Sequence, residues 1–435
     1  MRIFIGPNEI AGQYRNLAIA LKSIHIECDY YIFDEDSFRY GGDIGASRLP
    51  FYIRRLSLFR KTTGPIRRKL YSLAIEALAV VFFLRSLFIY DAFVFGFGRS
   101  LLRWNLDLPV LRFFGKRIVA NMSHGSDMTP SYIDGAFLDL DMSMPKVDFH
   151  LERISKLRAR IKRFERYASY IIGSPISSSF FSNKPFISIF HIGRVSQGFR
   201  ASEFEMAANG KTDNNTGNKI KILHAPSHAP GKGTLIIRDI INRLIERGYS
   251  IEFREVSGRD NDVVLKELQW CDLVLDQVYS DLPMSGFAAE AACFGKPTVV
   301  SGYDLVALKG AVLGECFPPT IICSPDNLSE ALSKLLDSPS DIAKAGREAK
   351  EFVYGQCGEI NVAKRYLSLL SDQPVPPSWW YDPKSTVFLH GYGLHESSSK
   401  KMVSEMIEHY GVEGLGLSHR PDLEAAFLNY AEPFR

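Results

Sequence analysis

Short apolar segments alternate with longer amphipathic ones along most of this chain, and this alternation constrains the fold more than any other feature. Strands are predicted at eight short apolar runs, namely residues 2–6, 91–97, 116–122, 219–224, 251–254, 272–276, 297–301 and 320–323. Helical patterns fall between them, as at 232–247, 285–294 and 327–336. Because strands alternating with helices build βαβ units around a parallel sheet, we predict an α/β protein with two Rossmann-like, doubly wound domains facing across a cleft.

One polar tract divides the two series. Residues 207–218 read AANGKTDNNTGN and are small and turn-prone, so they predict a linker. The linker would separate a first domain (1–206) from a second one (219–355), which is followed by a helix (356–371) that could cross back to the first domain. Proline and tryptophan residues then open a C-terminal extension, 372–435, which we expect to be a separate appendage of unknown role.

Composition excludes several classes of protein. Hydrophobic residues make up 46% of the chain and charged residues 23%, which is typical of soluble domains with real cores. The net charge of +3 is too small to indicate nucleic acid as a partner. Six cysteines lack metal-ligand spacing and predict buried thiols in a reducing cytoplasm. The opening residues MRIFIGPNEI lack the features of a secretory signal, so we expect a cytoplasmic protein.

A turn rich in glycine and proline follows the first predicted strand of the second domain. Residues 224–234, HAPSHAPGKGT, end a strand and open a helix. Free backbone N–H groups and the positive end of the helix dipole suit a phosphate group there. Lys232 adds a positive charge, and His228 can donate a hydrogen bond. The glycine spacing of a Walker motif is missing, and a plain turn with a solvated lysine is the alternative.

The second informative segment, residues 276–297, repeats this arrangement. A strand ends, a loop containing glycine follows, and a helix begins near Ser285. Glu290 lies in that helix between Ala289 and Ala291, where a lone carboxylate among small apolar neighbours needs a partner. A ribose diol would satisfy it with two hydrogen bonds. A glutamate on a partly exposed face or in an internal ion pair is the alternative.

Taken together, the two segments resemble the donor half of the retaining GT-B glycosyltransferases of group 1, family 4. The first segment matches in APS at 225–227 and KGT at 232–234. The second matches in DQ at 276–277, GFA at 286–288, EA at 290–291 and GKP at 295–297. The first half is also similar to that family, in the glycine loop at 11–13 (AGQ), in YD at 90–91 and GK at 115–116, and in the turn SHGSD at 123–127. The resemblance spans residues 1 to about 370.

The resemblance implies roles for particular residues. Lys232 would neutralise the nucleotide diphosphate, Glu290 would hold the ribose hydroxyls, and His124 would approach the transferred sugar from the facing domain. The donor-binding residues that it also implies are Gly12, Gln13, Gly125, Asp127, Ser227, His228, Gly231, Gly233, Asp276, Gln277, Ser285, Gly286 and Phe287. Neither a metal nor a cofactor is expected, the nucleotide-sugar being a substrate, and Asp139 and Asp141 are interpreted as solvated carboxylates.

The implied activity is transfer of a sugar from a nucleotide-sugar donor to a glycan or lipid-linked acceptor, with retention and without a metal, in polysaccharide or glycoconjugate biosynthesis. The chain departs from the family at Leu282, where a glutamate is frequent, and at His228 and Ala229, where an arginine often precedes the lysine. These departures keep open a catalytically weak sugar-nucleotide-binding or scaffolding subunit. An epimerase or phosphorylase of the same fold is a third hypothesis.

Basic and aromatic residues interleave between Asp43 and Glu76, a stretch without acidic residues. This pattern predicts contact with an anionic membrane, at the inner face of the cell membrane, and a solvated helix near an acceptor groove is the alternative. The apolar stretch 71–90 contains two charges, so we expect a buried or interfacial helix and not a span. A second basic run, 153–166, predicts an exposed helix face. The basic residues of the first run are Arg48, Arg54, Arg55, Arg60, Lys61, Arg67, Arg68 and Lys69.

Overall fold

The computed structural model of the protein describes residues 1–34, 41–195, 219–371 and 373–432. The predicted linker, 207–218, lies outside the described residues. The strands are β1 Ile3–Ile5, β2 Cys28–Tyr30, β3 Ala92–Gly96, β4 Arg117–Met122, β5 Tyr170–Gly173, β6 Phe186–Ser188, β7 Ile220–His224, β8 Ile251–Glu255, β9 Leu273–Gln277, β10 Thr298–Ser301, β11 Ile321–Cys323 and β12 Trp380–Tyr381.

The helices of the first domain are α1 Gln13–Ser23, α2 Leu49–Lys61, α3 Pro65–Ile89, α4 Asp107–Phe113, α5 Val147–Tyr167, α6 Pro175–Ser179 and α7 Ile189–Ile192. Those of the second domain are α8 Ala229–Lys232, α9 Thr234–Glu246, α10 Asn261–Trp270, α11 Gly286–Cys293, α12 Leu305–Ala311, α13 Leu328–Leu336 and α14 Pro339–Gly355. The chain continues with α15 Glu359–Leu370, α16 Glu396–Tyr410 and α17 Pro421–Ala431.

These strands form two sheets in the described part of the chain. The first sheet has the order β12-β6-β5-β4-β3-β1-β2, and the second has the order β11-β10-β9-β7-β8. All pairings are parallel except the antiparallel pairing of β12 with β6. The fold class that the sequence predicts, two Rossmann-like domains with parallel sheets, is confirmed, and each of the eight predicted strands coincides with an observed one.

Apolar side chains cover both faces of each sheet, which explains why the strands read as continuous apolar runs. Phe4 on β1 contacts the rings of Phe93 and Phe95 on β3 and of Phe82 on α3. The second domain has two separate apolar clusters of buried residues, as expected for a sheet with helices on both sides. Each domain therefore has its own core. The loops at the carboxyl ends of β1, β4, β7 and β9 carry the predicted site residues.

Helix α15 follows the second domain in sequence but packs against α1, β4 and α7 of the first domain. Its Tyr366 is fully buried, and its hydroxyl oxygen accepts a hydrogen bond of 2.8 Å from Asn121 Nδ2 on β4. The chain therefore crosses back, and the two domains are joined a second time.

The C-terminal extension is not a separate appendage, so this prediction is wrong. Its β12 extends the first sheet, and the buried ring of Phe427 packs against Tyr132 and Phe180 of the first domain. Arg420 is 1% exposed, and its Nη1 donates to the carbonyl oxygens of Ser179 and Pro383. The physical reason is that a segment of about sixty residues is near the lower size at which a domain can bury enough surface alone, and its apolar residues instead complete the core of the first domain.

Helix α3 is long and apolar enough to cross a membrane by length and composition, but 28% of its most apolar window is buried in the protein. Ala79, Phe82, Phe83 and Leu87 form the packed stripe. The helix, which the sequence predicts to be buried or interfacial, is therefore held to the core along one side, while its other apolar side chains are exposed.

We predict that Phe427→Ala lowers the free energy of unfolding by about 3–5 kcal/mol, because truncating a fully buried ring leaves a cavity. Hydrogen exchange of the β4 amides should become faster, since the ring belongs to the core of the first domain. The matched control is Phe113→Ala, whose ring is 85% exposed and whose removal should cost no more than about 0.5 kcal/mol. Unchanged exchange in β4 would contradict the shared core.

Candidate functional site

The turn after β7 is held by a buried histidine. His224 Nδ1 donates to the Leu275 carbonyl oxygen at 2.8 Å, and its Nε2 accepts from the Thr234 hydroxyl at 2.9 Å. Burial lowers the pKa of His224, so the ring is neutral at pH 7. Gly233 has a φ of 72°, and a Cβ there would meet Val278 Cγ2 at 2.6 Å. These contacts fix where α8 ends and α9 begins.

Lys232 is buried and ion-paired, which excludes the alternative of a solvated lysine. Its Nζ lies 2.8 Å from Asp276 Oδ1 and also donates to Gln277 Oε1 at the end of β9. Asp276 Oδ2 has no hydrogen-bond partner among the described residues. The charge of Lys232 is therefore already balanced, and an anionic ligand would have to compete with Asp276 for it.

The other predicted residues of this turn contact different parts of the protein. Gly231 N donates to His228 Nδ1, and His228 Nε2 donates to the carbonyl oxygen of Leu138 in the first domain at 3.1 Å. His228 therefore links the two domains through Nε2, while Nδ1 caps its own turn. Gly231 lies against Tyr392 of the C-terminal extension, since a Cβ there would lie 2.9 Å from its hydroxyl. Ser227 is exposed to solvent.

Helix α11 begins with a side-chain cap and contains a buried carboxylate. Ser285 Oγ accepts a hydrogen bond of 3.2 Å from Ala288 N. Glu290 is 5% exposed, and its Oε1 accepts from Nδ2 of Asn261, the first residue of α10, at 2.9 Å. Glu290 is thus neither solvated nor on an exposed face. The neighbouring Phe287 is half-buried.

The glycine loop of the first domain reaches the start of α11. Gly12 has a φ of 72° and precedes α1. A Cβ on Gly286 would lie 3.2 Å from Ala11 Cβ, so the two loops are in contact across the cleft. Gln13 is buried, and its Nε2 has no hydrogen-bond partner in the described residues.

A carboxylate of the protein itself occupies the start of α1. Glu9 Oε1 accepts from Ile10 N at 2.7 Å and from Tyr14 N at 3.2 Å, while Oε2 accepts from Arg15 N at 2.9 Å and from the Tyr30 hydroxyl at 2.8 Å. Burial raises the pKa of Glu9 to about 7 despite these bonds. The N–H groups with which a helix start could bind an anion are therefore already occupied by the Glu9 carboxyl group in the first domain.

His124 faces the same cleft from the end of β4. Its Nε2 shares a hydrogen bond of 2.8 Å with the Tyr14 hydroxyl. Burial lowers the pKa of His124 to about 3, and the charge of Arg194 contributes in the same direction. The imidazole is therefore neutral at pH 7, and it can exchange hydrogen bonds but carries no positive charge.

The turn around His124 is built on Asp127. The backbone N–H of His124 donates to Asp127 Oδ1 at 3.2 Å, and Arg160 Nη2 donates to the Asp127 carbonyl oxygen at the same distance. Burial raises the pKa of Asp127 to about 7, and its Oδ2 has no partner among the described residues.

The two domains touch again beside this turn. A Cβ on Gly125 would lie 3.4 Å from Oδ2 of Asp281, a buried second-domain carboxylate. Arg194 Nη2 donates to the Ser123 carbonyl oxygen at 2.8 Å, and its charge opposes the rise that burial causes in the pKa of Asp281. Asp281 Oδ2 has no hydrogen-bond partner in the part of the chain that is described.

Several buried polar atoms of the cleft are thus unpartnered, and they lie on both domains. Leaving such a group unsatisfied costs about 1–3 kcal/mol, which makes this crevice a place where water or a polar ligand would be stabilised. The atoms are Gln13 Nε2, Asp127 Oδ2, Asp276 Oδ2 and Asp281 Oδ2.

Sequence reasoning missed four residues of the cleft: Glu9, Arg194, Asp281 and Tyr392. An acidic residue just before a predicted helix was a signal for Glu9. Tyr392 lies between two glycines, a pattern that permits close backbone approach. Arg194 and Asp281 are brought together only by the docking of the domains, and no local pattern marks them.

The predicted solvated carboxylates are confirmed, since Asp139 and Asp141 are both exposed. Asp141 accepts hydrogen bonds from the backbone and side chain of Ser143, which lower its pKa. Within the described residues, no three His, Cys, Asp or Glu side chains come together in a way that could hold a metal ion.

The arrangement of two such domains is shared with known structures. The chain is similar to an α,α-trehalose-phosphate synthase (UDP-forming) from Burkholderia xenovorans, solved in complex with glucose-6-phosphate, with a TM-score of 0.50 and 11% identity over 85% of this chain and 100% of that one. This similarity shows the fold, which is the GT-B fold that the resemblance implied.

Two further structures align less well. HepE from Anabaena, in complex with UDP-glucose, aligns with a TM-score of 0.46 and 12% identity, and the glycosyltransferase SnogD from Streptomyces nogalater with 0.41 and 14%. Each alignment covers 85% of this chain and 99% of the other. No protein-family model matches the chain. No curated protein matches it either.

The pKa of Glu9 gives a prediction for stability against pH. The folded carboxyl stays protonated up to about pH 7, whereas the unfolded one ionises near 4.5, so the folded state binds more protons between these values and loses stability as pH rises. Relative to Glu9→Gln, which cannot titrate, the wild type should lose about 1–3 kcal/mol across this window, measured by urea denaturation at several pH values.

The control for this measurement is Glu246→Gln, at an exposed position near the end of α9. Its stability difference from the wild type should not vary with pH. The contributions of the other buried carboxyl groups to the pH dependence cancel in each difference, because all three proteins carry those groups. A pH-independent difference for Glu9→Gln would show that the carboxyl is ionised throughout.

Proposed function

We propose that the protein is a glycosyltransferase that moves a sugar from a nucleotide-sugar donor to a glycan or lipid-linked acceptor, in polysaccharide or glycoconjugate biosynthesis. The observation that carries this proposal is the placement of two helix starts, at α8 and α11, beside the carboxyl ends of β7 and β9. Such an edge is where open α/β sheets bind ligands. Lys232 and Glu290 are buried next to it, and the His124 turn faces it from the other domain.

The proposed chemistry follows from charge. Transfer breaks the bond between the sugar and the diphosphate and forms one to an acceptor hydroxyl, so negative charge develops on the leaving group. In our proposal Lys232 turns from Asp276 to that diphosphate, and the N–H groups at Gly286 and Phe287 add the positive end of the helix dipole. Glu290 and Asn261 hold the ribose hydroxyls. The neutral His124 hydrogen-bonds the sugar. We propose retention of configuration and no metal.

A second function is favoured by one set of observations. Lys232 is fully engaged by Asp276 and Gln277, His228 is used to join the domains, and Leu282 stands where the family often has a glutamate. These contacts suit a sugar-nucleotide-binding or scaffolding subunit with little turnover. Calorimetric binding of UDP, GDP and ADP, run beside a donor-hydrolysis assay, separates the two, because a scaffold binds without hydrolysing.

Removing the charge pair tests the donor site without leaving a buried charge. The variant Lys232→Met/Asp276→Asn should weaken nucleoside diphosphate binding by about 10–100-fold, since a hydrogen bond to a charged group contributes about 1.5–3 kcal/mol. Lys334→Met is the control, at a lysine that is 74% exposed on α13. Equal affinity in the double variant and the wild type would contradict the proposal.

We also propose that the α2–α3 surface contacts an anionic membrane at the inner face of the cell membrane. Ile66, Leu70, Leu73 and Phe88 are between 62% and 80% exposed on α3. The adjacent cations 67–69 are exposed at the start of the same helix. Exposed apolar side chains beside cations are typical of a helix that lies in the lipid interface, and each cation near the lipid contributes about 1 kcal/mol.

The variant Leu73→Glu/Phe88→Glu should reduce binding to phosphatidylglycerol-containing vesicles by about 10-fold or more, because each apolar side chain contributes roughly 1.5–3 kcal/mol when buried. Co-sedimentation measures this. Leu140→Glu is the control, at a leucine that is 90% exposed in another part of the first domain. Equal loss with the control, or no preference over phosphatidylcholine vesicles, would contradict a membrane surface.

A further inference from the structure

The first domain contains a large cavity that none of the predicted site residues lines. Its volume is about 1240 Å³, and its walls are α3, the loop after β3 and one face of α5. Phe97 lies at its inner side, and the Phe97 ring centroid is 6.4 Å from that of His124. Arg160 both lines the cavity and donates to the Asp127 carbonyl oxygen in the His124 turn. The cavity therefore adjoins the candidate site from the first-domain side.

Cations dominate the lining of this cavity. It has seven basic side chains against two acidic ones, Glu76 and Glu152, and these two pair with Arg103 and Lys156. Arg99 pairs with Asp34. The remaining four, Arg60, Arg153, Arg160 and Arg163, form no ion pair with a carboxylate among the described residues. Buried acidic groups lie near two of them, since Asp134 acts on Arg153 and Asp127 on Arg160 through their charge. The predicted basic run on α5 is thus only partly a solvated face, because four of its members, spaced three or four residues apart, line the cavity.

Neutral groups hold these guanidinium groups in place. Arg153 stacks over the ring of Phe137 with 4.2 Å between its Cζ and the ring centroid, and Arg163 donates to the Trp104 carbonyl oxygen. Arg160 Nε is buried without a hydrogen-bond partner in the described part of the chain. A guanidinium group retains its full charge when it stacks or bonds a carbonyl, so this wall is prepared to accept oxygen atoms of an anion.

The opposite wall belongs to α3, which contributes Ser72 and Glu76 as well as three apolar side chains, and Glu76 is paired with Arg103. Ile75, Ala79 and Val80 line it, and Val80 is 43% exposed, so the wall continues to the outer face of the helix. A soluble anion would use the cationic wall only. A ligand that contacts both walls must carry a negative group and a hydrocarbon chain.

We propose that this cavity binds a phosphate ester carrying a hydrocarbon chain, with the phosphate on the α5 arginines and the chain along α3. The proposal deepens the proposed function, on which it rests, by assigning an amphiphilic phosphate as the acceptor class. Its phosphate end lies toward the His124 turn, so the acceptor hydroxyl belongs to a group esterified to that phosphate, and its proton leaves with the departing diphosphate when the sugar is transferred. The chain leaves the cavity on the side of the α2–α3 surface.

Calorimetry without any donor tests the cavity directly. Decyl phosphate, used below its critical micelle concentration, should bind the wild-type protein saturably at one site. Inorganic phosphate lacks the chain and decyl maltoside lacks the charge, so each should bind at least about 10-fold more weakly, since charge-assisted bonds and chain burial both contribute. Equal binding of decyl maltoside would overturn the phosphate assignment, and equal binding of inorganic phosphate would overturn the chain assignment.

Substitutions on α5 test where decyl phosphate binds. Arg153→Gln/Arg163→Gln should weaken decyl phosphate binding by at least about 10-fold, because two charge-assisted contacts are lost. Arg166→Gln is the matched control, an exposed arginine on the same helix outside the cavity, and it should leave the affinity unchanged. An equal loss in the control would overturn the site. If the double variant fails to fold, the three-ligand comparison on the wild type still decides.

The same samples distinguish this inference from the proposed function. UDP, GDP and ADP are titrated into each protein after decyl phosphate. Saturable decyl phosphate binding with no nucleotide binding would support the cavity while removing the donor function. Nucleotide binding with no decyl phosphate binding would overturn the cavity assignment and leave the donor site standing.

Discussion

The geometry of the cleft depends on one close backbone junction, where both domains and the C-terminal extension meet. A Cβ on Gly393 would lie 3.0 Å from Gly231 Cα and 3.1 Å from Gly135 Cα, so three chain segments approach without side chains between them. Gly393 N donates to the Tyr279 carbonyl oxygen at 2.7 Å, and Gly135 N donates to that of Tyr392 at 2.6 Å. The extension therefore acts as a strap that sets how far apart the two sheet edges lie.

That strap has an electrostatic consequence. With the domains held together, Asp281 of the second domain approaches the His124 turn of the first, while Asp276 pairs with Lys232 within the second domain. Carboxylates thus compete with any incoming phosphate for the cations of the cleft. Breaking a buried pair is strongly unfavourable unless new contacts replace it, so ligand binding should require exchange of partners and not simple filling of a vacant site. The unpartnered carboxylate oxygens show where this exchange is possible, because they have unused capacity to accept hydrogen bonds.

Much of this architecture could be predicted from the sequence, and the limits have physical causes. The apolar runs predict β1, β3 and β4 of the first sheet and all five strands of the second. Most of these are inner strands, where burial on both faces produces a local signal, whereas β8 and β11 are partly exposed edge strands. Strands β2, β5, β6 and β12 were not predicted, and β12 is a strand only because it pairs with β6. The packing of the extension could not be predicted either, because Phe427 is buried by residues that are far away in sequence.

The site was predictable to a similar degree. Glycine patterns placed the turns correctly, because a positive φ at Gly12 and Gly233 is a local requirement. The partners of Lys232 and Glu290 depend on which strands are neighbours, so the pairing with Asp276 and the bond from Asn261 could not be read from spacing. Likewise, the spacing of the α5 arginines indicated a helix face but not what the face meets.

The exposed side of α3 and the cationic cavity are best understood together. A helix this apolar is usually buried on more than one stripe, yet its outer row remains exposed while its inner row lines the core and part of the cavity. In our proposal the exposed row borders the way from the surface to the α5 arginines, and a lipid interface is the environment in which that exposure is not costly.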